Sequence, residues 1–587
     1  MPLPCTPREI RQRGWDAPDV ILVSGDAYID SPYSGVAVIG RVLEHAGFRT
    51  AILSQPDTAS PEAFRRLGEP RLFWGVTGGC VDSMVANHTA SGRRRRQDDF
   101  TPGGVNNARP DRAVIVYCNR IRAAFKPCKP IILGGIEASL RRIAHYDCWS
   151  DTVRRPLLFD AKADALAYGM AERTVVDLAR ALRDGTDWRG LRGLCHALPA
   201  SSPALPATAV ALPDFHTAAA PTPEGRAAFL EMFRLFAAHQ DSRTARPLTQ
   251  KVDTRCLVHN PPAPPLTPDE LDAVYALPFT LDPHPAVAAR GPVRALDTIR
   301  FSLTTHRGCY GACRFCAIAM HQGREVVSRS RQSILDEARR MTRHPAFTGI
   351  LRDVGGPTAN MYGFECARKT RQGACPDRQC LFPECCESLR PDHGPQRELL
   401  ASLRRLPGVR KVFVASGIRP DLIAADPRHG DGYIDDLAAH HVSGQIKLAP
   451  EHTGPRVLAA MGKPGIDALL TFKRKFEAAN RRHGLRQFLT YYFIAAHPGC
   501  TEDDMRRLQR FVASHLHLNP EQVQLFTPTP STWSTAMYYT GCDPFRGTPI
   551  HVTRNPRDKQ RQKAILVPDA AGTRNLVIKK REQHNQA

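Results

Sequence analysis

No apolar run in this 587-residue chain approaches the roughly 18 residues that a membrane-spanning helix needs, so no membrane anchor is expected. The stretch from Met1 to Pro18 carries arginine and proline but lacks the apolar segment of a signal peptide. Seventeen cysteines without a secretion signal point to reduced thiols, metals or redox work in the cytoplasm rather than to a disulfide framework. Acidic residues are scarce beside basic ones, 58 against 80, which leaves a formal net charge of +22. Hydrophobic residues are not scarce: at 42% they exclude a disordered chain, and the length suggests about three to four domains.

The basic excess gathers at Arg93-Arg94-Arg95-Arg96 and in residues 551–587, where nine Lys/Arg face three Asp/Glu, a net +6. Such patches suit an RNA or DNA partner, although an arginine-rich solvated tail gives the same composition.

Between residues 16 and 185 short apolar runs alternate with helical stretches. Strands are expected at Val20–Val23, Phe48–Leu53, Leu72–Val76, Val114–Tyr117, Ile131–Leu133 and Ala165–Tyr168. Helices are expected at Val36–Ala46, Arg120–Phe125 and Glu172–Leu182. This alternation predicts a doubly wound parallel sheet over residues 1–195, with ligands near the carboxyl ends of its strands. Asp26, Gly78-Gly79-Cys80 and Gly134-Gly135 stand there, each also readable as an ordinary tight turn. Residues 196–295, Ala/Pro-rich with one amphipathic helix around Phe229, Met232, Phe233 and Phe236, read as a connector.

Residues 296–550 repeat a strand–helix unit six times, with chemistry-bearing residues after each strand. The first strand leads into Cys309-Tyr310-Gly311-Ala312-Cys313-Arg314-Phe315-Cys316. Three thiolates in one short loop can converge on a metal centre, and soft sulfur ligands select iron–sulfur clusters, zinc or copper. A 4Fe–4S cube usually takes four thiolates, so three leave one iron open to a non-protein ligand. After the later strands come Gly355-Gly356, then Ser416 and Arg419, then Lys447, Glu451 and His452, where hydroxyl, guanidinium and proton-handling groups meet. A second cysteine group, Cys366, Cys375, Cys380, Cys385 and Cys386, lies in an insert at 362–390 with little apolar material. A structural zinc or a second iron–sulfur cluster would fold such an insert directly, with Cys366, Cys375, Cys380 and Cys385 as the ligand set, or Cys386 in place of Cys385; free thiols are the alternative.

The C-x3-C-x-aromatic-C loop, with Phe315 in the aromatic place, resembles the radical-SAM signature. The resemblance implies a partial (β/α)6 barrel and a 4Fe–4S cluster on Cys309, Cys313 and Cys316. It also implies S-adenosylmethionine on the open iron, with the Gly355-Gly356 backbone at its amino group. Fuller strings are similar to the YgiQ-type family of uncharacterised radical-SAM proteins: Asp353-Val354-Gly355-Gly356-Pro357-Thr358-Ala359-Asn360, Leu448-Ala449-Pro450-Glu451-His452, Ala496-His497-Pro498-Gly499 and Thr535-Ala536-Met537-Tyr538-Tyr539. That likeness implies an enzyme acting on an unknown substrate with a flavodoxin or ferredoxin as reductant. A likeness to tRNA methylthiotransferases suggests RNA as substrate, and an iron–sulfur sensor is the non-catalytic alternative. The N-terminal domain resembles the cobalamin-binding domain that precedes many such cores. Where that domain's loop places a cobalt-binding histidine, this chain has Tyr28, which argues against histidine-on cobalamin; cobalamin without that ligand is the alternative, and cobalamin is not expected.

Overall fold

A computed structural model describes residues 1–518, 520 and 523–567. Its N-terminal half is built on Val20–Ser24, five residues that are all buried. Such a continuous apolar run belongs to a parallel strand covered on both faces. It pairs in parallel with Thr50–Ser54 on one side and Phe73–Thr77 on the other, and Ile131–Leu133 and Ala165–Ala167 extend the parallel order. Helices Gly35–His45 and Glu172–Asp184 pack together over the sheet, while Glu62–Arg65 and Ala113–Ala124 form another packed pair.

Two expectations fail here. Val114–Tyr117 is helical, not a strand. Ala113, Val114, Tyr117, Cys118, Ile121 and Ala124 are buried at steps of one, three and four, and this helical period outweighs the β-branched composition. The presumed connector is part of the sheet. Leu194–Pro199 runs antiparallel to Ala165–Ala167, and Arg255–His259, Leu248–Val252 and Val210–Ala211 follow, completing nine strands. The Ala/Pro-rich turns lie between these strands and obscure their pattern.

The C-terminal half carries the six expected strands in barrel order. Ser302–Thr304 pairs with Asp353–Gly355, Ile350–Leu351 with Lys411–Val412, Gln445–Glu451 with Phe488–Ala495, and the last with Gln524–Leu525. All these pairs are parallel, and a bridge between Ile418 and Leu448 joins the third unit to the fourth. A closed apolar core of Leu303, Leu351, Val354, Val412, Ile446, Leu448 and Phe493 lies between strands and helices. The halves share further packing: Tyr146 stacks on Tyr539 at 4.9 Å, and Ser531 Oγ donates to the Leu140 carbonyl at 2.8 Å. The start of the basic C-terminal stretch is a docked helix, Pro556–Leu566, whose buried Gln562 accepts from the Ala496 amide at 2.9 Å. The rest of that stretch, 568–587, lies outside the described residues. Among the described residues no helix is long and apolar enough to cross a membrane.

Candidate functional site

The cysteine loop leaves the first barrel strand through a short hairpin, His306–Arg307 paired with Val327–Ser328. Gly308 has φ +88°, a backbone state that side chains rarely adopt, and a Cβ there would lie 2.8 Å from the Glu325 carbonyl carbon. Three residues on, a Cβ on Gly311 would lie 3.3 Å from Cys309 Sγ and 3.5 Å from Cys313 Sγ. The glycine therefore leaves a cradle between two sulfurs. Burial raises the Cys309 thiol, and it pushes Cys316 up to about 12, each with the neighbouring Cys313 adding to the effect. Thiols in that state become ligands only if a cationic centre deprotonates them.

Among the described residues no three His, Cys, Asp or Glu side chains converge closely enough to hold a single metal ion. Within the insert, Cys366 is buried with Tyr310, Met361, Leu381, Leu389 and Leu422, and the ammonium of Lys369 lies 3.8 Å from Cys380 Sγ. Long-range partners supply the apolar material that the insert itself lacks.

Beside the loop, Gly355 pairs with Thr304, and a Cβ on it would meet Ser416 Oγ at 3.2 Å. A Cβ on Gly356 would lie 2.7 Å from the His306 ring, so only glycine lets the backbone approach here. Ser416 donates its hydroxyl to Asp353, whose other oxygen accepts the Ala415 and Ser416 amides. Arg419 forks onto Asp421 at 2.6–2.8 Å and points its remaining nitrogen at Cys313 Sγ, 3.7 Å away. The buried Asn360 fixes this arginine by bonding both its amide, at 2.8 Å, and its carbonyl, at 3.0 Å. Phe315 packs between the two large cores, edge-on to His497.

Glu451 stands at φ +67° at a register shift in its strand, an uncommon state for a non-glycine residue. Burial raises its carboxyl, opposed by Lys463 at 3.6 Å and by Arg419. Lys447 is exposed, four residues before the strand ends at the half-buried Glu451. His452 does not reach the site. It is 0% exposed, accepts from the Gly454 amide at 2.9 Å and lies 3.7 Å from Cys500 Sγ. Burial lowers it to about 4, which makes it a neutral core histidine.

The strand ends of the N-terminal sheet face this region across a cavity of about 510 Å³ lined by Asp26, Thr77, Gly135, His306 and Gly356, among others. Asp26 is held there by the buried Arg109 and by the Cys80 amide at 2.6 Å, so its carboxylate is already engaged. Tyr28 is locked in the core, donating to Asp30 at 3.1 Å and accepting from the Leu3 amide. A contact invisible in sequence joins the halves: Arg307, two residues before Cys309, pairs with the buried Glu172 of the first half. Asn360 and Asp353 stand within strings that the sequence singles out, but their roles emerge only from partners far along the chain.

Comparison with known proteins follows the same division. The family described as Radical SAM N-terminal matches residues 2–302, the Radical SAM superfamily matches 303–512, and a domain of unknown function, DUF3362, matches 521–577. A UPF0313 protein of Fusobacterium nucleatum is 50% identical over 565 residues, covering 96% of this chain and 98% of that protein. One of Thermotoga maritima is 46% identical, covering 96% and 97%. Among solved structures, the radical S-adenosylmethionine methyltransferase TsrM from Kitasatospora setae, with cobalamin and a [4Fe-4S] cluster bound, aligns at 16% identity and TM-score 0.46, covering 88% of this chain and 77% of that one. The cobalamin-dependent S-adenosylmethionine radical enzyme OxsB aligns at 12% and 0.49, covering 89% and 55%. Full-length identity to its relatives and the radical-SAM match place the chain in the UPF0313 family, as a radical-SAM enzyme.

Proposed function

We propose that the protein cleaves S-adenosylmethionine reductively and uses the product radical to take a hydrogen atom from a substrate. The observation that carries this reading is the cradle at Gly311, where the sulfurs of Cys309 and Cys313 lie beside the Arg419 guanidinium. Cys309, Cys313 and Cys316 would hold a 4Fe–4S cluster and leave one iron open. When bound, that cluster supplies the electron that splits S-adenosylmethionine into methionine and a 5′-deoxyadenosyl radical. The chain's own residues bind, orient and exclude water. Gly355 and Gly356 let the backbone approach the ligand's amino group, while Arg419, fixed by Asn360 and Asp421, carries positive charge to the edge of the cysteine loop. Glu451, raised by burial, can hold a proton beside that loop, and Lys463 sets its charge. The Arg307–Glu172 pair seals the loop against the N-terminal half.

Histidine-ligated cobalamin stays outside the proposed cofactor set, because the Asp26-Ala27-Tyr28 loop offers no histidine and Arg109 occupies Asp26; cobalamin without that ligand is the alternative. A corrinoid absorption spectrum in protein purified from cobalamin-supplied cells would establish that alternative. A second cluster in the insert is favoured by one observation: Cys375, Cys385 and Cys386 share a cavity wall with Cys313 and Cys316. The main reading is tested by the electron paramagnetic resonance spectrum of the dithionite-reduced protein, recorded with and without S-adenosylmethionine. A change on addition is expected; an unaltered spectrum removes the open iron from the account.

A further inference from the structure

The insert, the cysteine loop and the N-terminal half line an open cavity of about 1380 Å³, which adjoins the one at the glycine pair through Gly169, Met170, His321 and Gln322. Arg142 lies in its wall, 1% exposed. Its guanidinium is held over the Tyr168 ring at 4.2 Å and the Phe236 ring at 4.9 Å, and one nitrogen donates to Gln240 Oε1 at 2.9 Å. Its Nε has no hydrogen-bond partner, and it forms no salt bridge with any carboxylate among the described residues. Nearly every other deeply buried arginine here has an acidic partner: Arg109 with Asp26, Arg141 with Asp82, Arg307 with Glu172, Arg329 with Glu337.

A buried cation without a counter-charge is costly, and ring faces offset only part of the lost hydration. Burial holds the Arg142 guanidinium below its ordinary pKa, yet arginine stays protonated in proteins. The neighbouring groups do not neutralise it. His321 is kept neutral, lowered to about 4 by burial and by Arg142 itself. Of the wall's carboxylates, Asp241 accepts the Arg243 and Ala374 amides, Glu325 pairs with Arg243, and those of the insert stand exposed at the rim. Across the cavity Arg314, which also pairs with no carboxylate among the described residues, lies between Phe382 and Phe545. A planar fork held rigid between two rings is prepared for two parallel bonds to a carboxylate or phosphate.

We infer that this cavity is an anion site, in which Arg142 receives a carboxylate or phosphate group of the substrate. Its placement beside Cys313 and Cys316 makes it a substrate subsite, a role that rests on the radical-enzyme reading; the anion binding itself does not. The test is thermal unfolding of the full-length reconstituted protein in inorganic phosphate, acetate or chloride at matched ionic strength. The site predicts a rise in melting temperature with phosphate or acetate over chloride, and the better of the two names the group. Arg142→Met should abolish the rise, and Arg142→Lys, which keeps the charge but loses the fork, should weaken apparent affinity about tenfold. Arg378→Met, at the exposed rim, should leave the rise unchanged. No anion-specific shift in the wild type, or an equal shift in Arg142→Met, overturns the inference. If Arg142→Met does not fold, undiminished affinity in Arg142→Lys overturns it. Anion binding without 5′-deoxyadenosine formation would sink the radical reading and leave the site standing.

Discussion

Replacing Gly308 by alanine adds one methyl group at the entry to the cysteine loop. The new Cβ would be driven into the Glu325 carbonyl, 2.8 Å from its carbon and nearer still to its oxygen, with Val326 Cα 3.2 Å away. These are backbone atoms of the hairpin partner, so no side chain can swing aside. The left-handed backbone state at φ +88° costs a non-glycine residue at least about 1–2 kcal/mol. Overpacking a closed site adds about 1–3 kcal/mol. The sum, about 2–5 kcal/mol, lowers the ratio of formed to opened loop by about 30-fold or more. Gly417→Ala is the control, since no atom lies within 4 Å of its Cβ position. Its effect should stay within about 0.5 kcal/mol. The assay is iron and sulfide per chain after anaerobic reconstitution, with limited proteolysis of the 306–328 hairpin alongside. Gly308→Ala should lose most of its iron and become cleavable there, while Gly417→Ala should match the wild type. Full iron loading in Gly308→Ala would refute the claim that this backbone contact shapes the loop.

Asn360→Ala removes both bonds that fix the Arg419 backbone and leaves a buried amide and carbonyl unmade. About 1–3 kcal/mol of local stability is at stake. The S-adenosylmethionine KM should rise with iron content unchanged, and equal KM values would contradict the positioning role. His452→Gln should lower the melting temperature while the pH profile of 5′-deoxyadenosine formation keeps its shape; a changed profile would return His452 to the site. Burial alone would raise Asp426, but the His393 side chain and the His393 and His429 amides hold it below the ordinary carboxylate value. Its contribution is therefore present above the unfolded pKa, near 3.9, and lost as pH falls. Melting temperature should drop more steeply below about pH 4 in wild type than in Asp426→Asn, and parallel slopes would contradict the pairing.

The parts read correctly from sequence are those written in neighbouring residues. The cysteine loop is a local spacing, and Val20–Val23 and Tyr491–Ala495 are largely apolar runs whose following loops mark the functional face. Val114–Tyr117 misleads because four β-branched or aromatic residues resemble a strand until Cys118, Ile121 and Ala124 extend the helical period. Strands such as Val210–Ala211 are too short to register amid alanine and proline. The insert looks core-less because its own Leu381 and Leu389 are completed by Tyr310, Met361 and Leu422, supplied from outside its sequence. Glu451 and His452 look equivalent as adjacent polar residues. One nevertheless turns toward Lys463 while the other turns into the core beside Cys500, a difference set by the register shift at Glu451. The partners of Arg307 and Asn360, and the lack of a carboxylate partner for Arg142 among the described residues, depend on contacts across the whole chain.

The central claim is that Cys309, Cys313 and Cys316 hold a cluster that cleaves S-adenosylmethionine. Anaerobically reconstituted wild type and the Cys309→Ala, Cys313→Ala and Cys316→Ala variants would be given S-adenosylmethionine and dithionite, with iron, sulfide and 5′-deoxyadenosine counted for each. The account predicts product from the wild type alone, and any iron retained by the variants would locate a second cluster in the 362–390 insert. Product from a variant, or a wild type that takes up no cluster, would contradict it.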